Sequence, residues 1–372
     1  MRADGRAVGG IGLAVLLLTA SPPVCLSAQD SQFSVRGLGT PGRWESVRAR
    51  STGGAFGPFD ALSPLSEAPL ADVPQLTATA MDAASYRQAV VGGTTTSLRG
   101  TRFPLLNVTG RIAPRLAVAA GFTTYLDRSW AVTLRDSTLL RGVPERYTDA
   151  ITSDGTIADL RLAAASRLTR LIAVGAGLHL LSGSTRETAQ RAFDDTSFHT
   201  LQQNAEVRYS GLGVSGSVLL NPLPGIALTG WVRADNRLRA KVGDSTSALT
   251  DLPRMAGGGL LLAPARGVRI AGSVAYRGWA RAGAGAFDTW SWSAGAELGA
   301  RQMPWRLGVR GGQMPFGPGP TAPTEFAVAG GTGRAFAGGR ALLDVGVEHL
   351  DRKGGGLTER VWTILLSLTV RP

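Results

Sequence analysis

The sequence predicts an all-β protein: a closed antiparallel transmembrane β-barrel of about 14 strands, with an N-terminal plug segment. Three observations predict it. Apolar and polar residues alternate over long segments, which is the period-2 signature of a strand. The connections between those segments alternate short and long, as they do in outer-membrane barrels. Glycine makes up 50 of the 372 residues and charged residues only 18%. Long helices tolerate so much glycine poorly, because each interior Gly costs about 1 kcal/mol relative to Ala.

Residues 1–28 read as a signal peptide. Arg2 and Arg6 supply the positive end, and Val8 to Ala20 the apolar stretch, which is too short to span a bilayer. Pro22 and Pro23 break it, and Leu26-Ser27-Ala28 offers the cleavage site. Cys25 is the only cysteine and follows Pro22-Pro23-Val24, which lacks the small residue a lipoprotein cysteine needs. A mature chain without cysteine excludes disulfides, thiolate metal sites and cysteine nucleophiles. Residues 29–72 are rich in Gly, Pro, Ser and Ala and carry little periodicity. They read as a periplasmic plug or hatch, and 73–372 as an outer-membrane barrel.

The barrel pattern runs through the chain. Leu106, Val108 and Ile112 oppose Asn107, Thr109 and Arg111. Leu212 to Val232 carries no charge, but Asn221-Pro222-Leu223-Pro224-Gly225 sits at its centre and makes it strand, turn, strand rather than a spanning helix. Ile226, Leu228 and Val232 then oppose Thr229, Trp231, Arg233 and Asp235. Val268, Ile270, Val274 and Tyr276 alternate with Arg269, Ser273 and Arg277; Trp305, Leu307 and Val309 alternate with Arg306, Gly308 and Arg310. Leu343, Val345 and Val347 oppose Asp344 and Glu348. Trp362, Ile364, Leu366, Leu368 and Val370 share the last strand's apolar face. Long apolar outer faces are an aggregation hazard in water and the required surface in a bilayer. In hydrocarbon every backbone polar group must pair, so the sheet closes. Long loops are expected at 136–155, 186–198, 243–252, 316–323 and 351–357.

A barrel of about 14 strands is wider than a side-chain-filled one and narrower than the open porins, so its lumen needs an occupant. If the apolar faces meet lipid, the residues between them face inward. That places Arg111, Arg161, Arg208, Arg233, Arg237, Arg269, Arg277, Arg306 and Arg310 in the lumen, with Asp159, Glu206, Asp235, Glu297, Asp344 and Glu348. Arginine on the lipid face costs roughly 2–4 kcal/mol at the midplane. The formal charge is +12, almost wholly from arginine, since Lys241 and Lys353 are the only lysines. These arginines are scattered singly, unlike the clustered charge of a nucleic-acid binder, so no nucleic acid is expected. Their surplus favours anionic amphiphiles, and Arg269 and Arg306 are candidates to hold a carboxylate bidentately.

Chemistry-bearing motifs are sparse. His179, His199 and His349 are the only histidines, and none is spaced as a metal pair. There is no G-x-S-x-G nucleophile elbow. Ser182 lies near His179 and is a candidate Ser/His pair of the kind outer-membrane lipid hydrolases use. No catalytic residue, metal or cofactor is expected, and the chain does not read as an enzyme. Trp130, Trp279, Trp290, Trp292, Trp305 and Trp362 are candidates for the aromatic girdles.

From about residue 36 to the end, the chain resembles the FadL/TodX family of outer-membrane transporters for long-chain fatty acids and hydrocarbons. Arg50-Ser51-Thr52-Gly53-Gly54-Ala55-Phe56 is similar to the family's early R-x-x-G-G-A-F/Y stretch. Ala164 to Leu178 resembles a hairpin leading into a V-G-A-G-L strand. Asp251-Leu252-Pro253, Gly257 to Gly259 and Ala275-Tyr276-Arg277-Gly278-Trp279 resemble the L-P…G-hairpin…Y-x-x-W segment. The resemblance implies passive uptake of hydrophobic small molecules across the outer membrane. It implies hatch residues at Gly53, Gly54, Ala55, Phe56, Ser66, Glu67 and Ala68. It also implies contact with outer-membrane lipid, hydrophobic or anionic amphiphilic ligands and the barrel-assembly machinery. Two departures stand out. The hatch's asparagine-proline-alanine motif falls on Ser66-Glu67-Ala68-Pro69 without the asparagine, and Val370-Arg371-Pro372 lacks a terminal aromatic. PorV-like proteins of the type IX secretion system use the same barrel, so a role in protein secretion or surface attachment is the alternative.

Overall fold

The computed structural model describes residues 31–91, 94–140, 142–243, 245–299 and 303–372. The expected signal peptide and Cys25 lie outside them. Fourteen antiparallel wall strands follow one another around a closed sheet. They are β1 (Thr77–Val91), β2 (Thr94–Ala113), β3 (Leu116–Asp127 and Trp130–Leu140), β4 (Val143–Arg167), β5 (Ile172–Phe193), β6 (Leu201–Leu223) and β7 (Ile226–Asp235 and Arg237–Val242). Next come β8 (Ser245–Asp251 and Arg254–Ala265), β9 (Val268–Arg277), β10 (Thr289–Leu298), β11 (Trp305–Gln313), β12 (Thr324–Phe336), β13 (Ala341–Gly354) and β14 (Leu357–Val370). β14 pairs with β1 from Val370 opposite Ala78 to Leu357 opposite Val91, which closes the barrel.

Four of the five expected long loops are mostly strand, 351–357 among them, where only the turn at 355–356 separates β13 from β14. Much of 136–155 is the end of β3 and the start of β4, most of 186–198 extends β5, and most of 243–252 begins β8. Residues with turn-like composition, such as Asp149 and Thr152, are held in the extended state by ladders on both neighbours. Tertiary pairing overrides local propensity there.

The alternation holds for most of the wall. Leu106, Val232, Ile270, Val274, Leu307, Val345 and Leu366 face outward and exposed. Arg161, Arg233, Arg306, Arg310, Asp344 and Glu348 are buried on the inner face. Three assignments fail: Arg208, Glu206 and Arg237. Arg208 faces outward, because Val207 and Tyr209 take the inner positions of β6; its partner Glu206 is exposed with it. Arg237 also faces outward and pairs with Asp251 at 2.9 Å. The reason is a one-residue slip at Asn236: Asp235 opposes Gly213, but Arg239 opposes Ser210. One inserted residue moves every later side chain to the other face. Trp290, Trp292, Trp305 and Trp362 are exposed on the outer face. Trp279 is instead buried in a loop against Phe316, with ring centroids 5.5 Å apart.

The ladder between β2 and β3 is incomplete. It runs from Ala113 opposite Leu116 only as far as Leu105 opposite Thr123. Among the described residues, 94–104 pair with β1 alone, and 130–140 with β4 alone. Pro104, which has no N–H to donate, sits where the ladder stops, inside a bulge opposite Asp82. The Arg102 guanidinium pairs with Asp127 across the break. The N-terminal segment lies against the freed edge of β3: Thr40 and Pro41 pair with Asp127 and Leu126. The Gly42 N–H donates to the Tyr125 carbonyl at 2.9 Å, and Trp44 Nε1 donates to the Thr124 carbonyl at 3.1 Å.

Candidate functional site

Residues 31–76 lie against the inner wall at several points around the barrel. The hatch candidates Gly53, Gly54, Ala55, Phe56, Ser66, Glu67 and Ala68 are all buried. The wall is cut back to glycine where the segment approaches. A Cβ on Gly308 would stand 2.0 Å from the Thr52 carbonyl carbon, and one on Gly175 would stand 2.5 Å from the Glu67 Cβ.

The segment is held by charge as well as shape. Ser46 caps the four-residue helix Val47–Arg50 and accepts from the Ala49 N–H at 3.2 Å. Arg48 reaches Glu297 on β10 at 2.9 Å. Arg50 reaches Glu348 on β13 at 3.0 Å, and Glu348 also pairs with Arg310 at 3.3 Å and Arg43 at 3.7 Å. Burial is the largest influence on Glu45 and pushes its carboxyl pKa upward, but Arg43, Arg50 and Arg310 together hold it below the usual range. Arg111, at the short-turn end, donates to the Val73 and Ala71 carbonyls at 3.2 and 3.0 Å.

A second set of contacts centres on Glu67. The Ser215 hydroxyl donates to Glu67 Oε1 at 2.6 Å and the Ser217 hydroxyl to Oε2 at 3.0 Å. The N–H groups of Glu67 and Ala68 donate to Ser217 Oγ at 2.9 and 2.8 Å. His179 Nε2 lies 2.8 Å from Ser215 Oγ, and its Nδ1 lies 2.9 Å from Asp159. Ser182 faces outward, so the Ser/His pairing suggested by sequence is replaced by Ser215 on the neighbouring strand. Arg233 joins Asp159 at 2.5 Å and Asp235 at 2.9 Å.

An apolar cluster lies beside these charges. Trp44 stacks on Tyr125 with centroids 5.7 Å apart, and Arg233 covers both rings. Leu126, Ile157, Leu181, Trp231, Met255 and Phe316 belong to the same cluster, with Leu65 packed against it. Leu126 is on the edge that the β2–β3 break leaves free, so the cluster reaches the wall opening. A further cavity of about 710 Å³ opens at the short-turn end, lined by Arg48, Arg266, Arg269, Arg306, Arg371 and Glu297 among others. Arg306 is committed there to Asp344 at 2.5 Å and Glu297 at 3.0 Å. Arg269 lies 3.6 Å from Glu297 and is partly exposed. Arg277 faces inward beneath the Trp44 ring. Trp44, Tyr125, Ser215 and Ser217 escaped the sequence reading, because only cross-strand register brings them together.

A FadL homologue of Pseudomonas aeruginosa superimposes with a TM-score of 0.64 at 13% identity, covering 90% of this chain and 99% of that one. The Pseudomonas putida toluene transporter TodX gives 0.58 at 11% identity, with 88% and 97% covered. The chain has the FadL/TodX channel fold. The CymD monoaromatic hydrocarbon channel shares it, at 0.57 and 13% identity with 90% and 98% covered. No protein-family model and no curated protein matches the sequence. A depression of about 870 Å³ between Leu106, Leu162, Leu178 and Leu212 lies on the outward-facing, exposed side of the wall.

Proposed function

We propose that this protein is an outer-membrane channel for passive uptake of hydrophobic small molecules, such as long-chain fatty acids or hydrocarbons. The observation that carries this reading is the junction of three features. The lumen is occupied by residues 31–76, an apolar cluster lies beside that segment, and the cluster ends at a break in the β2–β3 ladder. A water-filled pore would serve polar solutes; an apolar path ending at hydrocarbon serves molecules that partition into the membrane. Such a ligand leaves the cluster sideways past Leu126, once Thr40–Pro41 separates from the β3 edge.

Residues 29–72 are the plug in this reading, 73–372 the barrel, and 1–28 a cleaved signal peptide that directs export. The outward apolar belt meets outer-membrane lipid, and the barrel-assembly machinery inserts it. The fold shared with FadL and TodX supports transport rather than catalysis, and no specific observation favours a secretion role.

Native purification followed by mass spectrometry of the extracted contents tests the reading. Bound fatty acids or hydrocarbons are expected. Recovery of export components in stoichiometric amounts, without hydrophobic ligand, would overturn it.

A further inference from the structure

Arg161 is a poorly satisfied charge of the inner wall. It is 3% exposed, and none of its three side-chain nitrogens has a hydrogen-bond partner. The nearest carboxylate oxygen is Glu67 Oε1, at 4.0 Å. The neighbouring acids are taken: Asp159 is bound by His179 and Arg233, and Asp235 by Arg233 and the Tyr125 hydroxyl. If Glu67 leaves, Arg161 keeps only Asp159, which His179 and Arg233 already bind, and the Ser215 and Ser217 hydroxyls lose the Glu67 carboxylate as acceptor. Burying a cation so poorly paired is costly, which makes the place receptive to any carboxylate that reaches it.

A ligand can reach it, because the inner faces of the wall strands change character over one inward step. On β4 the sequence of inward residues is Ile157, Asp159, Arg161; on β5 it is Leu181, His179, Gly177. Ile157 and Leu181 belong to the apolar cluster. Leu65 of the plug packs against that cluster and lies two residues from Glu67. From Ile157 to Arg161 is four strand residues, about 13 Å, a distance that a long acyl chain covers. A chain lying in the apolar cluster therefore presents its head group at Arg161, Ser215 and Ser217. Gly177 leaves the floor open: a Cβ there would stand 2.6 Å from Ser215 Oγ and 3.0 Å from Glu67 Oε1.

We propose that Arg161, Ser215 and Ser217 form a carboxylate seat in which the plug's own Glu67 stands in for the ligand. The carboxylate of an incoming amphiphile replaces Glu67, and the displaced side chain frees the adjoining turn Ala68–Asp72 from the wall. Ligand binding and plug release are then one exchange of anions, with no net change in buried charge. A neutral hydrocarbon occupies the apolar cluster but leaves Glu67 in place. The proposal rests on the uptake reading and adds which ligand class triggers the plug.

The test uses the full mature chain in nanodiscs, with palmitate and hexadecanol as probes of equal chain length. Ser66→Cys, fully buried in the docked plug, reports release through its rate of maleimide labelling. Palmitate is expected to raise that rate about tenfold and hexadecanol to leave it unchanged, the difference being one charge-assisted contact set. Glu67→Gln is expected to tighten palmitate binding several-fold and to speed labelling without ligand. Arg161→Gln should abolish the preference for palmitate; Arg161→Lys, which keeps the charge, should retain part of it. Equal binding of the two probes with no change in labelling overturns the seat and leaves uptake intact. Binding of neither probe to the wild type overturns both.

Discussion

Thr40 stands directly across from Asp127, as its antiparallel partner, on a strand edge from which the neighbouring wall strand has withdrawn. The N-terminal segment thus supplies two residues of pairing where β2 supplies none. An unpaired strand edge at membrane depth is expensive, since hydrocarbon offers no hydrogen bonds. The segment covers part of that edge while remaining a separate, detachable piece of chain.

Locking this pairing should therefore block lateral exit. Antiparallel partners hold their Cα atoms about 4.5–5.5 Å apart, within disulfide reach. Thr40→Cys with Asp127→Cys is expected to crosslink under mild oxidation. Uptake of a hydrocarbon into proteoliposomes should fall severalfold on oxidation and recover with reductant. An oxidised, crosslinked protein that transports at the wild-type rate would show that the edge does not need to open.

Strand count and closure were legible in the sequence, because lipid on one side and water on the other impose a strict period of two. Inward Arg161, Arg233, Arg306 and Arg310 followed from that period alone. Arg237 did not, because the slip at Asn236 changes the phase, and a one-residue bulge leaves no mark in composition. Arg208 lies far along a strand whose outer part runs beyond the expected membrane span, where the rule against outward charge lapses. The residues proposed for the plug were named from their types alone, and their wall partners were not legible. Ser215 and Glu67 are 148 positions apart in sequence, and only barrel closure makes them neighbours.

Glu348 gathers Arg50 and Arg43 from the plug segment and Arg310 from the wall. Glu348→Gln leaves the buried Arg50 and Arg310 and the partly buried Arg43 short of one shared anion. Removing one partner of a buried ion pair costs about 3–5 kcal/mol. The loss should fall on plug docking rather than on the barrel, whose ladders are untouched. Amide exchange around 46–57 should accelerate strongly while exchange in β12 and β13 stays slow. Uniform acceleration across both regions would contradict this division.

Gly308→Ala places a methyl where the Thr52 carbonyl carbon already stands, 2.0 Å from the new Cβ. Backbone cannot yield as a flexible side chain does, so the plug must shift. Gly216→Ala is the matched control, since its new Cβ meets only the Gly175 carbonyl oxygen, at 3.8 Å. Single-channel conductance in planar bilayers should rise for the Gly308 variant and stay at the wild-type level for the Gly216 variant. Identical conductance for both would mean that Thr52 does not seal against β11.

The last prediction concerns acid. Arg43 donates to both oxygens of Glu45, each at 3.0 Å, in a bidentate pair inside the plug. Burial favours the neutral acid, but Arg43, with Arg50 and Arg310 behind it, outweighs burial and lowers the carboxyl pKa. A group whose pKa falls on docking adds stability above its free value, about 4.3 for Glu, and loses it as pH drops through the lowered value. From pH 7 to about 5 the Glu45 contribution should stay constant, because the carboxylate is ionised in both docked and released states. Below about 4 the released plug takes up the proton first, and docking weakens with each further step. Conductance measured across this range should stay low down to about pH 4 and rise below it. Glu45→Gln removes that titration, so its channel should leak more at neutral pH and respond less steeply to acid. An equally steep acid response in the variant would assign the opening to other carboxylates.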